Sequence, residues 1–358
     1  MNDILQQAQT WLDDGLPVAV ATIVRIFGSS SQPLGARMAM TTGNRFVGMV
    51  SGGCVETDVY ETGQKVQREG RALMLHYQQV EDPLVEIGLN CEGQIDVLVE
   101  PLDRALLDQL ACPERCAHVT LCSPDQPADP DVVHTQAAAD GTATTPVPAH
   151  VIQAAQETLR GDKPQTVTFA DGRVALIEPV LPPPTLLIFG GEQIAVPLVR
   201  LANVMGWRTV VSDARPAFAT REKHPDADLV LAAWPDVVVQ QIGVDERTYI
   251  VSLNHEARFE DAMLQALLES GRAGYIGAIG KRVRHHERLA RAAEAGINLA
   301  QLPEIHTPIG LDIGGKSPEE IALSILAEIV AVRNGRPGGM LQVTRAAATS
   351  PLSLPHAK

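Results

Sequence analysis

The chain has 358 residues, which suggests about two domains. Its 29 basic and 43 acidic residues give a formal net charge of −14, which argues against nucleic acid and anionic membranes as general partners. The chain begins with a polar stretch rather than a signal peptide, and its apolar runs are much shorter than the roughly 18 residues of a membrane span. We therefore expect a cytoplasmic protein with no membrane span.

Short aliphatic runs alternate with helical patterns along the first half of the chain. A nearly continuous apolar run predicts a buried strand at 18–26. A composition rich in Pro, Asp, Ala and Thr predicts an irregular segment at 112–148, interrupted by a strand at 118–122. The predicted helices are 2–14, 55–69, 102–111 and 149–160, and the other predicted strands are 38–40, 46–50, 71–80, 94–100, 166–169 and 174–179.

A run of three prolines at 182–184 predicts a stiff linker and a domain boundary. The first domain is then 1–181, the second is 185–340, and 341–358 form a flexible tail. The fold class that follows is α/β, with an N-terminal α/β domain and a C-terminal Rossmann-like, doubly wound domain whose sheet is mostly parallel.

The second domain opens with a strand, a helix and a second strand that ends at Asp213, which together form the first half of a dinucleotide-type unit. Its last helix is predicted to begin with a capping box formed by Ser317 and Glu320. The strands that continue the alternation are 229–232, 249–253 and 273–276, and the helices are 259–270, 281–295 and about 318–334.

A glycine pair followed by a cysteine marks the first candidate site, at Gly52, Gly53 and Cys54, with Glu56 two residues later. A strand that breaks at two glycines and restarts as a helix leaves free backbone N–H groups, which attract anions and favour a reactive thiol. The alternative is a tight turn in which Cys54 is a small buried apolar residue. A second glycine-flanked cysteine, Cys91, lies in the same domain.

The second domain carries a damaged dinucleotide fingerprint. Gly190 and Gly191 follow the first strand, but Glu192 stands where the G-x-G pattern requires its second glycine. Asp213 lies where an acid would bind a ribose. Two interpretations stay open: ordinary dinucleotide binding, or a fold retained for another ligand or for dimer packing.

Two further glycine-rich loops precede helices in the second domain. Glycines, cations and a helix start can form an anion-binding loop, whereas the alternatives are a solvated helix start and a plain turn. His255, at the end of a strand, is either a ligand contact or a structural histidine. The residues that would bind a ligand are Gly277, Gly280, Lys281 and Arg282 in one loop and Gly310, Asp312 and Gly314 in the other.

Together these motifs resemble one family across residues 10 to 335: the XdhC/CoxI family of accessory proteins for xanthine dehydrogenase, CO dehydrogenase and related molybdenum hydroxylases. The motifs that carry the resemblance are GSSSQPLGARM, VSGGCVE, GLNCEGQIDVLVEP, IFGGEQIA, SDARPAFAT, YIGAIGKRVRHHERL and PIGLDIGGKSPEEIALSILAEI.

The resemblance implies a chaperone that binds molybdenum cofactor, as molybdopterin or its cytosine dinucleotide form. It implies that the cofactor is sheltered while a cysteine desulfurase exchanges an oxo ligand for sulfido, and is then handed to the large subunit of an apo molybdenum hydroxylase. The family's key cysteine falls on Cys54, and a second cysteine of its pattern falls on Cys91. We expect Cys54 and Glu56 to be the catalytic residues, with Cys54 in contact with the metal or the sulfur. We expect a homodimer.

Two departures from the family pattern bear on nucleotide binding. Many members have Cys-Gly-Gly where this chain has Glu92 after Cys91, and many have an intact glycine fingerprint where this chain has Glu192. The second departure resembles the CoxI-like branch. The competing hypotheses are an NAD(P)-dependent oxidoreductase that uses the Rossmann-like domain, and a scaffold that binds partners without binding a cofactor.

Overall fold

Two units, Met1–Pro182 and Pro183–Lys358, make up the chain in the computed structural model. The structure describes residues 2–78, 93–111, 115–254, 256–270, 272–280, 290–291, 294 and 296–340. Across these residues, every helix is too short or too polar to cross a bilayer.

The first unit is built on strand β1, which lies at the centre of a five-stranded antiparallel sheet of order β3-β2-β1-β5-β4. Its aliphatic residues are buried on both faces, because helix α2 packs on one face and helices α1 and α3 pack on the other. The elements are α1 (Asn2–Asp13), β1 (Val18–Gly28), β2 (Arg37–Thr41), β3 (Arg45–Gly48), α2 (Glu56–Glu69), β4 (Leu73–Gln78), β5 (Gly93–Pro101) and α3 (Arg104–Leu110).

A second antiparallel sheet of order β7-β6-β9-β8 completes the first unit and is covered by helix α4. Strand β7 lies within the segment that we expected to be irregular, so that prediction is wrong for residues 133–137. Only two of the five residues of β7, Thr135 and Ala137, are buried. Pairing with β6 stabilises the strand. The elements are β6 (Cys116–Cys122), β7 (Val133–Ala137), α4 (Ala149–Thr158), β8 (Gln165–Thr168) and β9 (Val174–Val180).

A buried ion pair joins the two sheets of the first unit. The guanidinium of Arg37 on β2 donates to both carboxylate oxygens of Glu178 on β9. Burial opposes ionisation of Glu178, but the charge of Arg37 and its hydrogen bonds outweigh that effect and lower the pKa of Glu178 to about 2. His118 on β6 lies beside the same carboxylate, with Nδ1 3.6 Å from Oε2.

The second unit contains a six-stranded parallel sheet of order β12-β11-β10-β13-β14-β15. Numbered within the unit this order is 3-2-1-4-5-6, which is the order of a Rossmann fold and confirms the predicted fold class. The elements are β10 (Thr185–Phe189), α5 (Ala195–Val204), β11 (Arg208–Ser212), β12 (Leu229–Leu231), α6 (Pro235–Ile242), β13 (Thr248–Ser252), α7 (Ala257–Ser270), β14 (Tyr275–Ala278), a 3₁₀ turn (Leu299–Gln301), β15 (Ile305–His306) and α8 (Pro318–Arg333).

Helices cover both faces of the parallel sheet, as the doubly wound prediction requires. Helices α5 and α8 pack on one face, and helices α6 and α7 pack on the other. The predicted capping box is present at the start of α8, where Ser317 and Glu320 bond each other's backbone N–H groups. The helix predicted at 281–295 lies largely outside the described residues.

Candidate functional site

Cys54 lies in the loop that joins β3 to α2, at the turn that the glycine pair predicted. Gly52 and Gly53 have φ values of +88° and +113°, a region that residues with side chains rarely adopt. The two glycines therefore allow the chain to turn sharply between the strand and the helix. We call residues 50–56 the cysteine elbow.

The carboxylate of Glu56, the first residue of α2, accepts hydrogen bonds from the N–H groups of the cysteine elbow. The donors are the N–H groups of Val50 (3.1 Å), Ser51 (2.7 Å) and Gly52 (3.2 Å) to Oε1, and those of Gly53 (2.8 Å) and Val55 (3.3 Å) with the Ser51 hydroxyl (2.5 Å) to Oε2. The expectation that these groups are free for an external anion is therefore wrong. A charge built into the chain fills the anion-binding position instead.

These hydrogen bonds keep Glu56 ionised. Partial burial alone would raise the pKa of its carboxyl group, but the bonds from the hydroxyl and N–H of Ser51 and from other backbone N–H groups outweigh it and lower the pKa. An ionised carboxylate with its lone pairs engaged is a poor proton acceptor. Glu56 is therefore better suited to holding the elbow than to transferring protons.

Cys54 is half-buried and packs against the core between the first sheet and α2. Its N–H donates to the Ser51 hydroxyl at 2.9 Å, so Ser51 links the cysteine to Glu56. The Ser51 carbonyl in turn accepts a hydrogen bond from the Ser31 hydroxyl in the loop after β1. The thiol is thus not a fully buried core group, and its backbone N–H is held by Ser51, which Ser31 and Glu56 hold in turn.

The second predicted cysteine, Cys91, lies outside the described residues. The described chain resumes two residues later at Gly93, which packs directly against the carbonyl of Ser29. A side chain at position 93 would collide with that backbone. The loop that follows β1 therefore contacts both the cysteine elbow, through Ser31, and the start of β5.

The three residues predicted to bind a dinucleotide, Gly190, Gly191 and Asp213, lie close together in the second unit. The N–H of Gly191 donates to Asp213 Oδ2 at 3.1 Å, and Gly190, with φ of +113°, packs against Leu253 and Asn254 at the end of β13. Asp213 is almost completely buried. Burial alone would raise the pKa of Asp213, but hydrogen bonds from Arg215 and Gly191 outweigh it and lower the pKa.

In the two other predicted ligand loops, several of the described residues make contacts within the protein. Gly277 packs against Ile309, and the N–H of Gly310 donates to Glu328 Oε2 at 2.9 Å. The Tyr275 hydroxyl donates to the same oxygen, so Glu328 holds the loop that precedes α8. Asp312 and Gly314 are exposed, as parts of a ligand loop would be. Gly280 is half-buried and follows β14. The other predicted residues, Lys281, Arg282 and His255, lie outside the described residues.

Three residues that form hydrogen bonds to the candidate sites were not predicted from the sequence. Ser51 precedes the glycine pair, and Arg215 follows Asp213 by two residues, a spacing that favours side-chain contact with the Asp turn. Glu328 is an acid on an otherwise apolar stretch of α8. In the described parts of both units, no group of three or more His, Cys, Asp or Glu side chains could hold a metal ion.

Comparisons with known proteins match both units. A family model described as "XdhC and CoxI family" matches residues 11–78, and one described as "XdhC Rossmann domain" matches residues 186–329. A relative from Bacillus subtilis, named as a probable xanthine dehydrogenase subunit, is 28% identical over 90% of this chain and 95% of its own length.

Two further relatives are similar over nearly their whole length. "Molybdenum cofactor insertion chaperone PaoD" of Escherichia coli is 26% identical over 92% of this chain and 88% of its own. A crystal structure described as a xanthine dehydrogenase from Bacillus halodurans superimposes with a TM-score of 0.70 at 27% identity, covering 96% of this chain and 98% of that one. The first family match contains the whole cysteine elbow.

Proposed function

Because the chain belongs to the XdhC and CoxI family, we propose that it binds molybdenum cofactor and inserts it into a molybdenum hydroxylase of the xanthine dehydrogenase or CO dehydrogenase type. The observation that carries this proposal is the nearly full-length similarity to a protein named as a molybdenum cofactor insertion chaperone. The cysteine elbow, inside the matched region, supports it with a defined thiol.

In this proposal Cys54 contacts the metal or the exchangeable sulfur of the cofactor, which is the cargo of the protein. The donor set fits a cargo that must leave again. Among the described residues no cluster of three ligating side chains surrounds a metal, so the protein contributes a thiol while the cofactor's own dithiolene holds the molybdenum. Cys91 is proposed as a second, neighbouring contact.

Glu56 holds Cys54 in place rather than moving a proton. Its carboxylate bonds the N–H groups on both sides of the cysteine, and through the Ser51 hydroxyl it is linked to the N–H of Cys54 itself. Gly52 and Gly53 permit this turn. An anionic group of the cofactor, such as its phosphate, therefore binds elsewhere while Glu56 occupies the elbow.

In the second unit, the glycine-rich loops are proposed to bind the cofactor, as molybdopterin or its cytosine dinucleotide form, through its anionic groups. The exposed loop with Asp312 and Gly314 and the loop from Gly280 through Lys281 to Arg282 are the candidates. Gly277 and Gly310 support these loops through packing. The proposed partners are a cysteine desulfurase that supplies sulfur and the large subunit of the apo hydroxylase, in the cytoplasm.

We propose a homodimer through an apolar groove between α5 and α8, of about 710 Å³. Leu323 on α8 is 52% exposed, and Val204 at the end of α5 is 87% exposed. The groove carries Arg200 on α5 and Glu319 on α8, so a two-fold axis would place opposite charges from two copies together. Sedimentation of wild type and Leu323→Glu tests this: a wild-type monomer would rule the interface out.

The central experiment compares wild type with Cys54→Ser in molybdopterin binding and in activation of an apo molybdenum hydroxylase. Thr57→Ala, an exposed change in the first turn of α2, is the control. We expect Cys54→Ser to bind cofactor at least about tenfold more weakly and to activate poorly, while the control behaves as wild type. Wild-type binding and activation by Cys54→Ser would remove Cys54 from the mechanism.

A further inference from the structure

The fingerprint loop of the second unit differs from a dinucleotide-binding loop at one position. In the pattern G-x-G-x-x-G/A, Gly190 and Ala195 satisfy the first and third requirements, and Glu192 replaces the second glycine. That glycine normally lets the pyrophosphate approach the backbone. Here a carboxylate, 46% exposed, stands at the same position and would repel it.

The acid that would bind a ribose is already saturated. Asp213 Oδ1 accepts from the N–H and Nε of Arg215, both at 2.9 Å, and Oδ2 accepts from Arg215 Nη2 at 2.8 Å and from the N–H of Gly191 at 3.1 Å. A carboxylate has about four acceptor positions, and all of them are used. A ribose diol could bind Asp213 only if Arg215 left.

Arg215 is held by more than Asp213. Its Nη2 also donates to Glu192 Oε1 at 3.0 Å and lies 3.4 Å from Asn254 Oδ1, while its guanidinium stacks over the ring of Phe218 at 4.2 Å. One cation thus joins the ends of β10, β11 and β13. This is the edge of the sheet along which a dinucleotide lies in a Rossmann fold.

We infer that Glu192 and Arg215 are specificity-determining residues that close this crevice to NAD(P) and leave it to a ligand without a ribose diol at β11. The space that remains beside the pair is a cavity of about 640 Å³, lined by Phe218, Lys223, Leu253 and Ile279 among others. This cavity is large enough for a small ligand. It lacks the second glycine of the fingerprint and an Asp213 carboxylate that is available to a ribose, and these are the two groups that select a dinucleotide. The inference rests on the crevice alone and is independent of the role proposed for Cys54.

The test is to restore the fingerprint. Glu192→Gly rebuilds G-x-G-x-x-A, and Arg215→Ala releases Asp213. NADH binding is measured by calorimetry for wild type, both single variants and the double variant, and Arg208→Ala is the control because Arg208 is an exposed arginine at the start of β11, at the opposite end of the strand from Asp213. We expect wild type and control to bind with a Kd above about 1 mM, and the double variant to bind at least about tenfold more tightly.

Two additional measurements separate recognition from a change in folding. The gain in the double variant should disappear with 2′-deoxy-NADH, or when Asp213→Asn is added, because both remove the diol–carboxylate contact. Glu192→Gly keeps the Asp213–Arg215 pair and should fold normally while giving a smaller gain. Micromolar NADH binding by wild type, or a folded double variant that binds no better than wild type, would overturn the inference, and neither result would bear on cofactor binding at Cys54.

Discussion

Replacing Glu56 with glutamine tests whether its carboxylate holds the cysteine elbow. The substitution keeps the size of the side chain and one acceptor oxygen but removes the charge. It also places an amide NH₂ group beside donors that now bond Oε2, among them the N–H of Gly53 and the hydroxyl of Ser51. The elbow should therefore lose stability and open more often.

The magnitude follows from the donors. Hydrogen bonds to a charged group contribute about 1.5–3 kcal/mol each and neutral ones about 0.5–1.5 kcal/mol. Because Glu56 is only partly buried and water can replace some partners, we expect a net loss of about 2 kcal/mol in the free energy of unfolding of the first unit. For a unit of this size that lowers Tm by roughly 4–8 °C.

The assay is thermal unfolding followed by circular dichroism, with the alkylation rate of Cys54 by iodoacetamide as a second measurement. Glu61→Gln is the matched control, because Glu61 lies on the same helix and is exposed. We expect Glu56→Gln to unfold earlier and to be alkylated faster, with the control unchanged. If Glu56→Gln matched wild type in both measurements, the holding role of Glu56 would be refuted.

Three further changes test the packing around the sites. Glu178→Gln should destabilise the first unit by about 3–5 kcal/mol in urea unfolding, because it removes the carboxylate charge that faces the buried guanidinium of Arg37; exposed Glu157→Gln should have little effect. Burial lowers the pKa of His118, so below its usual value of 6.5 the unfolded chain binds a proton that the folded chain does not. The free energy of unfolding should then fall with decreasing pH below 6.5, by at most about 1.4 kcal/mol per pH unit, and a slope that persists in His118→Asn would contradict this assignment. Gly310→Ala should cost about 2 kcal/mol more than Gly314→Ala, since both have positive φ but only position 310 meets Ser324; equal melting temperatures would argue against the clash.

The architecture of the second unit could be predicted because its strands are aliphatic runs flanked by glycines and caps, as at Thr185–Phe189 and Ser317. Helix α6 was not predicted, since its run of β-branched valines at 237–239 favours a strand locally and only packing with α7 makes it helical. Strand β7 was missed for a related reason, because its pairing with β6 comes from tertiary contacts.

The position of the cysteine elbow could also be predicted, but its internal anion could not. Glu56 is an ordinary acid at the start of a helix until Gly52 and Gly53 adopt positive φ and bring the N–H groups around its carboxylate. Arg215 likewise becomes informative only when the fold brings Asp213, Glu192 and Asn254 around it. In both places a motif locates the site, and side-chain partners decide what it can bind.

The proposed function requires that this protein carries molybdenum cofactor through Cys54. The most direct measurement is the molybdenum and pterin content of wild type and Cys54→Ser purified anaerobically from cells that make the cofactor. We expect wild type to retain both and Cys54→Ser to lose most of each while unfolding at the same temperature. Equal molybdenum and pterin in the two proteins, or neither in wild type, would contradict the account.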